Sequence, residues 1–363
     1  MTALAPRLVP REKPARLERS PPQEPVPQGV SGIPRTSSQR LEAPARRVKH
    51  LGMIVGPVRY DWPNANWRQD VIALLRQIGR KMPPLLWLRH QQRKWMRGYQ
   101  QRRAARATFR FRGFKIPIPL MELTGGGADT FERISAGHMA VLRAHVGLEE
   151  DMSVCEIGCG IGRDAIPLAD ILAPPNGRYL GIDIIRPSID WCRDNISKRY
   201  PHFTFTWFDE RNQLFNPTGT LSTLDMRIPV DDASVDRIIL QSVFTHLLQP
   251  EIEHYLREFR RILRPNGRVF ATVFIYDAAI LASARATNLT KWNLTFEHEV
   301  APGCRINDPR FPLQAVAYTR ECLEEMITRT GLTLARDPLR GAWSGYYAQA
   351  DDGQDGLVLK LSA

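Results

Sequence analysis

Apolar and polar positions along this chain change rhythm several times, and each change marks an element. From Trp67 the apolar residues Trp67, Val71, Leu74, Leu75, Ile78 and Met82 return at helical spacing until Pro83-Pro84 break the pattern. A second, basic helix is expected from about Leu85 to Arg106, with Leu88, Trp95 and Tyr99 along one side. After FKIPIPL, the TGGG at 124 to 127 reads as a loop. Residues 129 to 145 read as a helix burying Phe131, Ile134, Met139, Val141 and Leu142. Strand-like runs then follow at 152 to 157, 178 to 183, 203 to 208, 235 to 241, 267 to 275 and 355 to 361. Helical stretches at 163 to 172, 187 to 199 and 251 to 263 separate the earlier ones, and a last helix is expected at 320 to 330. This alternation predicts a mainly parallel sheet with helices on both faces.

Composition narrows the class. With 43% hydrophobic and 24% charged residues, the 363-residue chain suits a soluble globular protein with a sizeable core. No apolar run approaches the roughly 18 residues of a membrane-spanning helix, and the first thirty residues lack the hydrophobic stretch of a secretion signal. Five cysteines are too few and too scattered for a disulfide framework. They fit a reducing compartment, and a cytoplasmic location is expected. Cys155 and Cys159 are the one close pair, but no second pair or histidine cluster follows at ligand spacing, so no metal is expected.

Charge divides the chain. Of 50 Lys+Arg and 38 Asp+Glu, residues 1 to 120 hold 25 and 6, a net of +19; the remainder holds 25 against 32, a net of −7. Residues 1 to 48, rich in proline and poor in apolar groups, are expected to be a disordered leader. Residues 49 to 120 are expected to form a basic helical arm, and 121 to 363 the catalytic domain. Two readings of the arm compete. It is a solvated helix lying on the domain or a protein partner, or its Arg-interleaved aromatics between 67 and 115 meet a membrane surface or a nucleic acid as a peripheral contact.

The chemistry concentrates in VCEIGCGIGRDA at 154 to 165, where an apolar strand runs into Gly158, Gly160 and Gly162 and then into a helix. Glycines there let main-chain N–H groups approach a ligand closely. The dinucleotide pattern GxGxxG fails, because its third glycine position is Arg163. The remaining ExGxGxG resembles the first motif of class I S-adenosylmethionine-dependent methyltransferases. YLGIDI at 179 to 184, DMRIPVDDASVDRIILQSVFTHL at 225 to 247 and YLREFRRILRPNGRVFATVF at 255 to 274 resemble that family's later segments, in the family's order. The likeness covers roughly residues 130 to 363, in the manner of type-11 and type-25 members, and says nothing of 1 to 110.

The resemblance implies a doubly wound, seven-stranded Rossmann-like sheet, six strands parallel and one antiparallel, and S-adenosyl-L-methionine as cofactor. Glu156 would attract the cofactor's ammonium, Gly158, Cys159, Gly160 and Gly162 would make room for its chain, and Asp183, beside Ile184, would accept from both ribose hydroxyls. For the adenine amino group Asp209 and Asp225 both stand open. Ser242 to His246 should face the methyl group, Ser242 on the cofactor side and His246 as a general base for an alcohol acceptor, against the plainer reading of His246 as a loop-ordering histidine. Asn212, Asn216, Pro217, Trp343 and Ser344 suit either an acceptor pocket or ordinary turns, and His298 and Glu299 mark a polar pair in an insertion at about 277 to 318. The expected acceptor is a small molecule or sugar. An RNA or protein acceptor reached through the basic arm, or a scaffold that keeps the fold without turnover, are the alternatives.

Overall fold

The structure, a computed structural model, describes residues 107 to 363 except Lys291. The leader and the two helices expected between Trp67 and Arg106 lie outside the described residues. The described region begins with a hairpin, β1 (Thr108–Phe111) and β2 (Phe114–Pro117), closed by Arg112 and Gly113 at φ +46° and +85°. Both positive φ values suit a two-residue turn whose twist matches the strands. Residues 107 to 117, assigned above to a helical arm, are therefore strand and turn. The period-two spacing of Phe109 and Phe111, then Phe114 and Ile116, turns aromatic side chains inward, and Phe111 meets Phe131 edge-to-face at 5.3 Å.

A short helix α1 (Ile118–Glu122) and a longer α2 (Phe131–His145) lead into the alternating region. This runs β3 (Ser153–Ile157), α3 (Ala165–Leu168), β4 (Arg178–Asp183), α4 (Arg186–Cys192), β5 (Phe203–Trp207), β6 (Val235–Leu240), α5 (Gln249–Ile262) and β7 (Leu263–Val273). After α6 (Ala278–Thr287), a small antiparallel sheet of β8 (His298–Ala301), β9 (Cys304–Ile306) and β10 (Val316–Tyr318) fills the insertion. Then α7 (Arg320–Arg329), β11 (Leu332–Leu334) and β12 (Asp355–Leu361) close the chain. The main sheet has the order β11-β12-β7-β6-β3-β4-β5, with β12 alone antiparallel to its neighbours.

Strand alternation assigns residues to the two faces. Cys155, Ile157, Ile238, Leu240, Val269 and Ala271 join one cluster with Leu256 and Phe259 of α5 and Met326 of α7. Their neighbours Val154, Ile239 and Phe270 join the opposite cluster with the hairpin, Phe131 and Leu142 of α2, and Ile189 of α4. Burying one such side chain contributes about 1.5–3 kcal/mol, so neither layer of helices can be removed from the sheet without loss of the fold. Pro265-Asn266-Gly267 lies within β7. There β6 advances from Val235 to Arg237 while its partner advances from Leu263 to Arg268, so the extra residues bulge out of the ladder.

One helix is shorter than its pattern suggests, and a second keeps its expected span with an irregular middle. The stretch 163 to 172 makes one α turn and then looser turns, and α4 passes into a π-helical turn at Arg193–Ser197. Among the described residues no helix is long and apolar enough to cross a membrane.

Candidate active site

The central strand β3 has β6 on one side and β4 on the other, so the chain's crossovers leave it in opposite directions and open a crevice at its carboxyl end. A cleft occupies that crevice, the place where open α/β sheets bind their ligands. Four strand ends supply its walls: residues 156 to 160 with Arg163 and Asp164 after β3, 182 to 185 after β4, Phe208, Glu210 and Asn212 after β5, and Gln241 to Val243 with His246 and Leu247 after β6.

Its floor is the glycine turn. Gly158 and Gly160 have φ +76° and +52°, and a Cβ on them would come within 2.5 Å of Val243 Cγ2 and 2.6 Å of Thr124 Cγ2 respectively. Any side chain there would meet both backbone strain and a collision. The turn is tied to the next strand by Gly158 N donating to Ile182 O at 2.8 Å and Gly160 N donating to the Asp183 carboxylate at 2.7 Å. The other Asp183 oxygen accepts from Ile185 N at 2.7 Å. Burial raises the Asp183 pKa, and these N–H groups oppose the rise.

Glu156 lies on the cleft wall, fully inside the protein, and accepts a short hydrogen bond from the Tyr179 hydroxyl. Burial first, and then the negative charge of Asp164, push its pKa well above the ordinary carboxylate value. A raised folded-state pKa means stability that is full below the unfolded value of 4.5 and is lost as pH rises through the folded value. Glu156→Gln, which does not titrate and can still accept from Tyr179, is therefore expected to melt above the parent protein at pH 8. The gap should be about 1.4 kcal/mol per unit of raised pKa and should close toward pH 4 in thermal melts. An equal gap at both pH values would contradict this.

Glu156, Gly158, Cys159, Gly160, Asp183, Ile184, Ser242 and His246 meet on the one cleft. Gly162, Asp209 and Asp225 do not line it. Gly162 instead packs where a Cβ would strike Ile196 Cδ1 at 2.5 Å. Asp209 accepts from the Thr220 hydroxyl at 2.8 Å and from Asn216 at 3.2 Å, which hold its carboxyl below the usual range and close the 210 to 221 loop. Asp225 caps a turn by accepting from Ser222 N at 3.3 Å. Both carboxylates have taken local backbone-ordering partners, as Asp does in loops.

The acceptor candidates separate in the same way. Asn212 lines the cleft while its side-chain oxygen accepts from Leu214 N and Phe215 N, so one residue both shapes the turn and faces the cavity. Phe215, also on the cleft, meets the His246 ring edge-on at 5.9 Å. Trp343 and Ser344 lie elsewhere. Trp343 packs on Phe274 at 5.2 Å and donates its indole N–H to Asp355 at 2.7 Å, and the Ser344 carbonyl accepts from Ser283 and Thr287. Together they belong to a third apolar cluster under the insertion. Asn216, Pro217, His298 and Glu299 are likewise off the cleft wall, and Glu299 pairs with Arg305 at 2.9 Å.

Arg163, Asp164, Glu210 and Gln241 are among the cleft residues that were given no role from the sequence. Arg163 and Asp164 directly follow the glycine turn, and Glu210 follows Asp209. Glu210 accepts from Thr223 at 2.7 Å and Tyr255 at 3.4 Å, and burial raises its pKa against those bonds. Arg163 Nε, Asp164 Oδ1 and Gln241 Nε2 are buried without a hydrogen-bond partner. A buried donor or acceptor left unpaired costs about 1–3 kcal/mol, and three of them around one cavity suit a ligand that carries both donors and acceptors.

The part of the chain that builds this cleft resembles a methyltransferase domain. Residues 155 to 271 match the family described as a methyltransferase domain. Over 145 residues, 39% of this chain, the sequence is 28% identical to the tRNA N(3)-methylcytidine methyltransferase Mettl2 of Drosophila melanogaster, and the match spans 41% of that protein's length. Among solved structures, the 1,6-didemethyltoxoflavin-N1-methyltransferase of Burkholderia thailandensis, with its substrate and S-adenosylhomocysteine bound, superposes with a TM-score of 0.43. It is 16% identical over 68% of this chain and 88% of that one. A putative methyltransferase in complex with the Trm112 activator of Haloferax volcanii gives a TM-score of 0.42 and 18% identity over 65% of this chain and 92% of that one.

Proposed function

We propose that this protein transfers a methyl group from S-adenosylmethionine to a hydroxyl of a small polar acceptor of the sugar class. One observation carries the acceptor reading. The cleft is lined by Glu210, Asn212, Phe215, His246 and Tyr255, an acid, an amide, two aromatic rings and an imidazole, and among its lining residues Arg163, next to the glycine turn, is the one lysine or arginine. Phosphate contacts to a polynucleotide come mainly from Lys and Arg, whereas amide, hydroxyl and aromatic groups suit a neutral polyol.

The cofactor supplies a sulfonium methyl that is already electrophilic, so the protein's part is orientation, exclusion of water and removal of one proton. Asp183 would accept from the ribose hydroxyls while it holds the turn through Gly160 N. Ile184 and Phe208 would flank the base, Glu156 and Arg163 would meet the charged ends of the methionine tail, and the bare backbone at Gly158 and Gly160 would let that tail lie close. The unpaired Arg163 Nε and Gln241 Nε2 support this placement. His246, which burial keeps neutral at pH 7, would take the acceptor's proton.

Purified full-length protein incubated with S-adenosylmethionine over pooled glycans and metabolites is expected to release S-adenosylhomocysteine, and over bulk tRNA it is not. A second reading, an RNA acceptor, rests on the net +19 of residues 1 to 120 and on the match to a tRNA methyltransferase. Turnover on tRNA that falls steeply between 50 and 200 mM salt, on the order of 10³-fold or more, would replace the sugar reading with that one.

A further inference from the structure

The cleft holds an acid whose position has no structural use for its free oxygen. Asp164 immediately precedes α3, where an Asp side chain ordinarily accepts from a backbone N–H of the first turn. It makes no such bond. Instead Oδ2 lies 2.7 Å from His138 Nδ1, a residue of α2 that is itself buried. An ionised carboxylate can only accept, so the imidazole donates through Nδ1 and fixes the carboxylate's rotation. Oδ1 is then left buried and unpaired, in a residue 2% exposed that lines the cleft. The same helix is fastened to the turn a second time by the Ser135 hydroxyl, which donates to Arg163 O at 3.0 Å.

We propose that Asp164 Oδ1 shares with Glu156 the ammonium of the cofactor's amino-acid tail, and that His138 is the positioning residue that aims Asp164. The inference deepens the S-adenosylmethionine reading and rests on it. It gives α2, which lies outside the matched residues 155 to 271, a direct part in cofactor selection. An acid joined to its ligand by a charge-assisted bond, and held by a second residue through its other oxygen, selects for an amine at one place in the tail. It contributes nothing toward a nucleoside that lacks the tail.

That asymmetry provides the test. Calorimetry on the full chain would compare S-adenosylhomocysteine, decarboxylated S-adenosylmethionine, which keeps the amine and lacks the carboxylate, and 5′-methylthioadenosine, which lacks both. Asp164→Asn is expected to weaken the first two by about 10-fold or more, the scale of one hydrogen bond to a charged group. The affinity for 5′-methylthioadenosine should change by less than about 2-fold, a result that also reports an intact fold. His138→Phe, which keeps the ring volume and removes the donor, should show the same selective loss at about 3-fold or more, and it decides the matter if the Asp164 variant does not fold. Equal losses for all three ligands, or no loss for any, would overturn the proposal and leave His138–Asp164 as a brace between α2 and the turn. If the parent protein bound none of the three, the cofactor reading itself would fall, an outcome distinct from a parent that binds all three and variants that fail to discriminate.

Discussion

Asp183→Ala is expected to weaken S-adenosylhomocysteine binding by at least about 100-fold, because it removes two sets of contacts with one change. The carboxylate accepts from Gly160 N and Ile185 N, each at 2.7 Å, and so fixes the turn at the end of β3 against the end of β4. The residue also lines the cleft, where two ribose hydroxyls would supply two more charge-assisted bonds. At about 1.5–3 kcal/mol for each bond to a charged group, the two ribose contacts alone amount to roughly 3–6 kcal/mol. The backbone N–H groups at 160 and 185 would also lose their partner, which costs further order in the turn. Part of this is offset, because burying the ionised carboxylate already carries a penalty, visible in its raised pKa. That penalty reduces the effect on stability more than the effect on binding. Calorimetry with S-adenosylhomocysteine, alongside a thermal melt, separates the two. Unchanged affinity in a folded variant would remove Asp183 from the cofactor site.

The parts of this molecule that could be read from the chain are those where local pattern and tertiary demand agree. Residues 178 to 183 and 355 to 361 form strands over the expected spans, because near-continuous apolar runs of strand length suit strands buried on both faces of a sheet. Glu156, Gly158, Gly160 and Asp183 fall on one cleft because they sit at adjacent strand ends, where the turn requires glycine at fixed steps. Sequence spacing offered no such rule for carboxylates in loops. Asp209, Glu210 and Asp225 are alike in type and near one another in the chain. Only the fold turns Glu210 into the cleft while Thr220 and Asn216 take Asp209 and Ser222 takes Asp225. Trp343, which the sequence left open between an acceptor pocket and a turn, is drawn inward by Phe274, Phe296 and the buried Asp355. The hairpin at 108 to 117 was hidden by its charge. Arg110, Arg112 and Lys115 resemble the basic arm before them, while the alternating Phe111, Phe114 and Ile116 decide the conformation. His138 and Asp164 are 26 residues apart and become a pair only when α2 folds back on the glycine turn.

His246→Gln is expected to lower kcat by about 100-fold or more, the usual contribution of a positioned general base, with S-adenosylhomocysteine affinity unchanged. Nδ1 lies 2.9 Å from the Leu313 carbonyl, an acceptor, so the neutral ring carries its proton there and keeps its lone pair on Nε2. Burial lowers the pKa below 6.5 against the opposing pull of the Leu313 and Gln314 carbonyls. The basic form is consequently dominant at pH 7, and kcat should fall only as pH drops through a value below 6.5. Glu210 shares the cleft and has a raised pKa, so it too can titrate on the acidic side. The His246→Gln pH profile distinguishes them, because a limb that belongs to His246 disappears with the imidazole and a limb that belongs to Glu210 persists. A histidine that only fastens the 310 turn at Pro312–Gln314 to the sheet would behave differently: its loss would lower the melting temperature and leave both kcat and the acidic limb in place. The ring's contact with Phe215, which itself lines the cleft, puts the proton acceptor beside the acceptor end of the cavity. Substitution at Phe215 should therefore raise KM for the acceptor while leaving the acidic limb of His246 intact.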